Sequence, residues 1–342
     1  MATPVEGYVF HTYGAVHHVR YAVTSVLTLR RHDPDRPVAL YCPTSHRDEL
    51  AQYGLDTLFE VIRELPPEHA SIVGFKLNLH RFMPFDRCLY VDADMVWCRN
   101  PDPLWQQLAA FPFTATGLDK ADVFFGGPKG LGIVWDYLLD RRRRTIKRFN
   151  LTHLPRVQAG VIYAQDETLT KTVCDTASYF LARRTETHFR SRLNEGRSEE
   201  SCEWSMAMAM SRLSLPVFDW FQGYNSAQLD FVDGLTDWDP DFEQVTCRYY
   251  CDRFVHSLRG LPNASLRDAL IGFFSRLPGR GDYLNVTPFA LHFSWLHHKE
   301  PFRAFSARTW SRVTDRAATP AVAPALAVSG DGMATPSLPS PN

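Results

Sequence analysis

Along residues 5–97, apolar positions change repeatedly from short unbroken runs to helical spacing and back. Residues 5–12 read as a strand, and residues 16–31 carry apolar side chains one helical turn apart before stopping at His32-Asp33-Pro34. VALYC at 38–42 reads as a strand, residues 45–54 as a helix with Ser45 as N-cap and Gly54 as its stop, and residues 58–65 as another strand. After the Pro66-Pro67 turn, residues 75–82 read as a helix and residues 88–97 as one buried strand. This β-α-β-α-β-α-β order predicts an α/β fold with a mostly parallel central sheet flanked by helices. Ligands are then expected at the carboxyl ends of the strands.

The pattern loosens beyond residue 100. Residues 157–164 (VQAGVIYA) predict a strand, 169–184 a helix, and 199–213 a helix in which Met206, Met208 and Met210 serve as core filler. Aromatic residues and Asp dominate 218–250 with weak periodicity, and ALHFSW at 290–295 is a last short strand. With no internal repeat, the second half is expected to complete the sheet of the first. From Ala317 the chain is rich in Pro and Ala and has no aromatic residue, so residues 317–342 are expected to be a disordered tail.

Composition narrows the possibilities. Lys plus Arg total 37 against 38 Asp plus Glu, a net charge of −1 that excludes nucleic-acid binding through a global positive field. The seven cysteines, odd in number and without a CxxC pair, fit free thiols in a reducing compartment. Cys247 and Cys251 with His256 lack a fourth ligand at zinc spacing. No window approaches the ~20 apolar residues that span a bilayer, and no basic-then-apolar leader opens the chain, so a cytoplasmic location is expected.

The sharpest chemical feature is Asp92-Ala93-Asp94 after the apolar run 88–91. Two carboxylates one residue apart on a strand share a face and repel unless a cation neutralises them. Oxygen ligands suit Mg²⁺ or Mn²⁺, and an added imidazole favours Mn²⁺. The alternative is a solvated or backbone-bonded pair at a strand exit. Asp-x-Asp-x-Val also opens haloacid-dehalogenase-type phosphatases, but there it lies on the first strand, whereas here three β-α units precede it.

The segment GFKLNLHRFMPFDRCLYVDADMVWCRNPDPLW resembles the central signature of nucleotide-sugar transferases with the GT-A fold, in particular family 8, which includes glycogenin and the bacterial lipopolysaccharide galactosyltransferases. VQAGVIYA is similar to that family's Asn-Ala-Gly strand, and LHFSWLHHKEPF at 291–302 to its His-Phe-x-Gly-x-x-Lys-Pro-Trp segment. The resemblance implies a GT-A domain over 1–316, with 5–100 as the nucleotide-binding half and 101–316 as the acceptor and sugar half. It implies hexosyl transfer with retention from a nucleotide-diphosphate donor, by analogy a UDP-hexose, to an acceptor the sequence does not identify. Asp92, Asp94 and His292 would hold Mn²⁺ or Mg²⁺. Asp92 and Ala93 would also meet the donor, with Lys76 near its sugar and phosphates and Gln158, Ala159 and Gly160 lining the sugar pocket. Lys299 would bind the departing diphosphate, and Asp119 and Glu203 would be the carboxylates beside the reacting sugar.

Thr12, Tyr13 and His18 lie where the family holds the base, yet YGAVHH offers no acidic or amide side chain there. Trp204 replaces the family's amide after Glu203, and the gap from His292 to Lys299 is one residue longer than the family's. These departures keep open a sugar-nucleotide-binding protein with little activity. Were the enzyme inverting, Asp119 or Asp122 would be the first candidates for a base. RRRRTIKR places six basic residues in eight positions at 141–148. They form either a solvated helix end or a grip on an anionic acceptor or phospholipid surface, the latter a peripheral membrane contact. The arginine-rich stretch 183–197 is either an acceptor loop or a plain connection.

Overall fold

The apolar runs of the first half assemble as strands β1 (Glu6–His11), β2 (Val38–Cys42), β3 (Val61–Glu64) and β4 (Arg87–Val91), paired in parallel in the order β3-β2-β1-β4. The computed structural model describes residues 4–121, 125–126, 135, 138–195, 198–220, 222–261 and 263–318. After β4 the chain leaves this sheet for β5 (Met95–Trp97), then returns with β6 (Phe113–Leu118), β7 (Arg156–Ala164) and β8 (Phe218–Asp219) to complete the order β3-β2-β1-β4-β7-β6-β8. β7 is antiparallel to both its neighbours, and β8 is parallel to β6, so β7 alone runs against the rest. The expected α/β architecture with a mostly parallel sheet is present.

Both faces of this sheet are covered, which is why its strands read as unbroken apolar runs. Side chains alternate between two cores. Val9, Tyr41 and Tyr90 point to one, while Tyr8, Phe10, Leu40 and Leu89 point to the other. Helices Glu167–Ala182 and Glu203–Arg212 pack together over the first face, where Met206, Met208 and Met210 are buried as expected. Helices His17–Arg30 and Glu300–Ala318 meet over the second, joined by the Thr24 hydroxyl donating to Ser306 at 2.9 Å. Two small sheets complete the fold. Strands β9 (Gln228–Asp230), β10 (Thr236–Trp238), β11 (Val245–Tyr250), β12 (Tyr283–Val286) and β13 (Ala290–His292) form β10-β11-β12 and, with β5, β5-β13-β9.

Several expectations are corrected. Residues 88–97 are not one strand: β4 ends at Val91 and β5 begins at Met95 in a different sheet, with Asp92-Ala93-Asp94 as the link. Residues 75–82 are not one helix. Helix Ile72–Lys76, capped by the Ser71 hydroxyl, stops before the tighter turn Leu79–Phe82. Ser45 is not an N-cap, because helix Thr44–Gln52 begins one residue earlier after extended Pro43. Gly54, with φ +64°, does end that helix region. The third strand starts at Val61 because Asp56–Leu58 forms a turn of helix, and the helix expected from residue 199 starts at Glu203. Helix Glu300–Ala318 runs through the expected start of the tail; residues 319–342 lie outside those described. All seven cysteines are free, as expected.

Candidate functional site

Two strand registers bring the sequence-distant candidate ligands together. In the β5-β13-β9 sheet His292 pairs with Met95 on one side and with Asp230 on the other. Met95 directly follows Asp94, and the Phe293 amide donates to the Asp94 carbonyl at 3.1 Å, so the end of β13 is fixed against the acidic link. On the main-sheet side, the Asp92 amide donates to the Gly160 carbonyl at 2.9 Å. Asp92 and Asp94 therefore do converge, through the switch of the chain between two sheets rather than through the pleat of one strand.

One ligand atom from each of Asp92, Asp94 and His292 lies within 4.8 Å of the others. His292 Nε2 is 3.7 Å from Asp92 Oδ2 and 3.6 Å from Asp94 Oδ1. The remaining carboxylate oxygens are already engaged. Asp92 Oδ1 accepts from the Tyr90 hydroxyl at 2.5 Å and faces Lys76 Nζ at 2.8 Å, and Asp94 Oδ2 accepts from Lys299 Nζ at 2.5 Å. Each aspartate thus keeps one oxygen directed at the imidazole. An ion with bonds of about 2.1 Å holds adjacent ligands about 3.0 Å apart and opposite ones about 4.2 Å apart, so this donor set fits a divalent cation.

Asp230, which sequence reasoning did not single out, completes the cluster. Its Oδ1 accepts from Gln158 Nε2 and from the Ser294 hydroxyl, each at 2.8 Å, and lies 3.4 Å from His292 Nδ1. Gln158 Nε2 is 3.2 Å from the same Nδ1 but has its nearer acceptor in Asp230, so the Nδ1 proton of His292 faces the carboxylate. A carboxylate behind the imidazole fixes the ring's orientation and leaves Nε2 as the ligand atom. The available signal was the apolar-to-acidic change at the end of Gln228-Leu229-Asp230, but a three-residue strand carries too little periodicity to be read.

Charge dominates the electrostatics. Burial alone would lower the His292 pKa, but its bonds to Asp230 and Asp94 outweigh this and push it up to about 10. Burial would raise both partners. Lys299 and His292 instead hold Asp94 far below the usual carboxylate range, and the His292 bond takes Asp230 down to about 2. Lys76 is also raised, since the Asp92 charge outweighs its own burial. Three carboxylates face two lysines, and the balancing positive charge is an imidazolium or a divalent cation.

The other predicted residues surround this cluster unequally. Lys76 is buried and donates to the Ala159 carbonyl at 2.8 Å. A Cβ at Gly160 would meet His292, Gln228 and Met95 atoms at 2.9 Å, so this glycine permits the close approach of the imidazole. The half-buried Ala93 packs on the second core. Thr12 donates to His46 Nδ1 at 2.9 Å, with His46 Nε2 donating to the Gly14 carbonyl, and His18 Nδ1 donates to the Tyr13 carbonyl at 2.6 Å. The Tyr13 hydroxyl donates to Glu199 at 2.7 Å. Glu203 pairs with Arg192 at 3.2 Å, and Asp119 stands exposed beyond β6; among the described residues neither touches the cluster. Asp122 lies outside the described residues. Trp204 is buried against Phe189. Cys247, Cys251 and His256 form no ligand group among the described residues.

No protein-family model and no curated protein matches this chain. Among solved structures it is similar to the galactosyltransferase LgtC in complex with donor and acceptor sugar analogs, at 13% identity over 92% of this chain and 96% of that one, with a TM-score of 0.49. It is similar to the glycosyltransferase GlyE of Streptococcus pneumoniae TIGR4 at 13% identity over 92% of this chain and 63% of that one, TM-score 0.47. The apo form of mouse xyloside xylosyltransferase 1 is similar at 14% identity over 66% of this chain and 88% of that one, TM-score 0.42. These structural neighbours are all glycosyltransferases. No helix among the described residues is long and apolar enough to cross a membrane.

Proposed function

We propose that the chain is a metal-dependent glycosyltransferase of the GT-A type that moves a hexose from a nucleotide-diphosphate sugar, UDP-hexose being the first candidate, to an acceptor. The observation that carries this reading is the convergence of Asp92 Oδ2, Asp94 Oδ1 and His292 Nε2 at the carboxyl end of β4, with Lys76 and Lys299 beside them. Mn²⁺ or Mg²⁺ held by these three residues would neutralise the charge that builds on the diphosphate as the sugar leaves.

The chain's own residues account for the rest. Lys299, paired with Asp94, would exchange this carboxylate for a diphosphate oxygen, while Lys76 stays paired with Asp92. Asp230 holds the imidazole, and Gln158 ties Asp230 to the strand that carries Ala159 and Gly160. The family resemblance supports retention of configuration. The test is turnover: with Mn²⁺ and a panel of nucleotide sugars, slow donor hydrolysis is expected and should vanish in Asp94→Ala. Release of phosphate from simple monoesters, without turnover or binding of any nucleotide sugar, would favour the phosphatase reading.

A further inference from the structure

The two basic stretches noted in the sequence meet in space. Helix Arg141–Arg148 lies beside the segment that follows helix Glu167–Ala182: the His188 amide donates to the Thr145 hydroxyl at 3.0 Å, and Arg148 pairs with Glu186. The segment is pinned from within as well. Glu200 accepts from the Ser191 hydroxyl at 2.6 Å and from the Arg192 amide at 3.0 Å, and the Arg190 amide donates to the Gly126 carbonyl at 2.9 Å. A cleft of about 330 Å³ opens in it, lined among others by Arg184, Thr185, Phe189, Arg190 and Asn194.

The charges here are not evenly matched. Arg183 pairs with Glu186, Arg184 with Glu200 and Arg192 with Glu203. Arg190 is exposed and meets no carboxylate among the described residues, and Thr185 and Asn194, which line the same cleft, make no side-chain hydrogen bond among them. A cleft lined by a guanidinium, a hydroxyl and an amide suits a polyhydroxylated ligand that carries an oxyanion. The position connects to the candidate metal site. Phe189, on the cleft wall, stacks on Trp204 with ring centres 4.9 Å apart, and both rings belong to the core that includes Phe75, the residue before Lys76.

Resting on the transferase reading, we infer that this cleft receives the acceptor and that the acceptor bears a phosphate or carboxylate bound by Arg190. Such a group comes from a soluble sugar phosphate or from an anionic lipid headgroup, and the basic helix Arg141–Arg148 at the rim suits either.

The experiment uses the full chain with Mn²⁺ and UDP. Affinities for glucose and glucose 6-phosphate are measured by calorimetry, and binding to phosphatidylcholine vesicles with and without phosphatidylglycerol by sedimentation. At least one anionic probe should bind about tenfold or more tightly than its neutral counterpart. The preference should be lost in Arg190→Ala and partly kept in Arg190→Lys, with UDP affinity and thermal unfolding unchanged. Which probe responds identifies the source of the anion. Equal binding of neutral and anionic probes, or a preference that survives Arg190→Ala, overturns the inference. Failure of UDP to bind, with the Arg190-dependent preference intact, overturns the transferase reading and the assignment of the anion as acceptor.

Discussion

His292 Nδ1 lies 3.4 Å from Asp230 Oδ1, at paired positions on adjacent parallel strands. The pair fixes the ring: Nδ1 is held from behind while Nε2 faces Asp92 and Asp94. Asp230→Asn keeps the shape and removes the charge. Mn²⁺ affinity, followed by loss of the free-ion resonance signal, is expected to fall about 10- to 100-fold. An unchanged affinity would reduce Asp230 to a packing role.

Gly160→Ala should disturb the same ligand from the other side. Its Cβ would stand 2.9 Å from His292 Cε1, with Gln228 and Met95 equally close. All three belong to buried, interlocked strands, so the expected loss is about 1–3 kcal/mol in denaturant unfolding, accompanied by weaker Mn²⁺ binding. A neutral effect on both would mean that the imidazole is freer than its packing indicates.

Lys76→Met replaces a buried cation by an apolar chain of similar length. Asp92 then loses its nearest positive partner, 2.8 Å away, while the Tyr90 hydroxyl bond remains. The expected loss of stability is about 3 kcal/mol, at the low end for breaking a buried pair because Asp92 keeps some contact with water. Mn²⁺ added in excess should restore part of it, since the ion supplies the missing charge, and unfolding curves with and without Mn²⁺ check this.

The pH dependence follows from His292. Its folded pKa of about 10 lies above the ordinary value near 6.5, so the native state binds an extra proton between these values. In chelator-treated protein this contribution is fully present below about pH 6.5 and is lost as pH rises to about 10, with a slope of up to about 1.4 kcal/mol per pH unit. His292→Gln should remove the slope. Mn²⁺ affinity of the wild-type chain should rise over the same range, because the ion and the Nε2 proton compete.

What the sequence disclosed, and what it did not, has a physical pattern. Strands β1, β2 and β7 are buried on both faces, and their unbroken apolar runs were readable. FTATGL at β6 was not, because Thr114 and Thr116, whose hydroxyls donate to the Pro216 and Gln158 carbonyls, imitate a polar loop. The convergence of Asp92 and Asp94 was legible from residue type and spacing, although the geometry behind it, a change of sheets between Val91 and Met95, was not. His292 was reached through the resemblance of its segment. Asp230 was hidden because its role arises only from the pairing of β9 with β13, a tertiary fact absent from local pattern. The break at Leu77 between helix Ile72–Lys76 and the following turn likewise accompanies a packing contact, Phe75 on Phe82 with rings stacked 4.4 Å apart, that periodicity does not show.

The central claim is that Asp92, Asp94 and His292 bind a divalent cation that in turn holds a nucleotide diphosphate. Calorimetric titration of UDP into the full chain tests it most directly, with Mn²⁺ or with a chelator, for wild type and Asp94→Asn. The account predicts saturable UDP binding by the wild type that requires Mn²⁺ and weakens about tenfold or more in Asp94→Asn. UDP binding of equal strength with chelator present, or undiminished in Asp94→Asn, would contradict it.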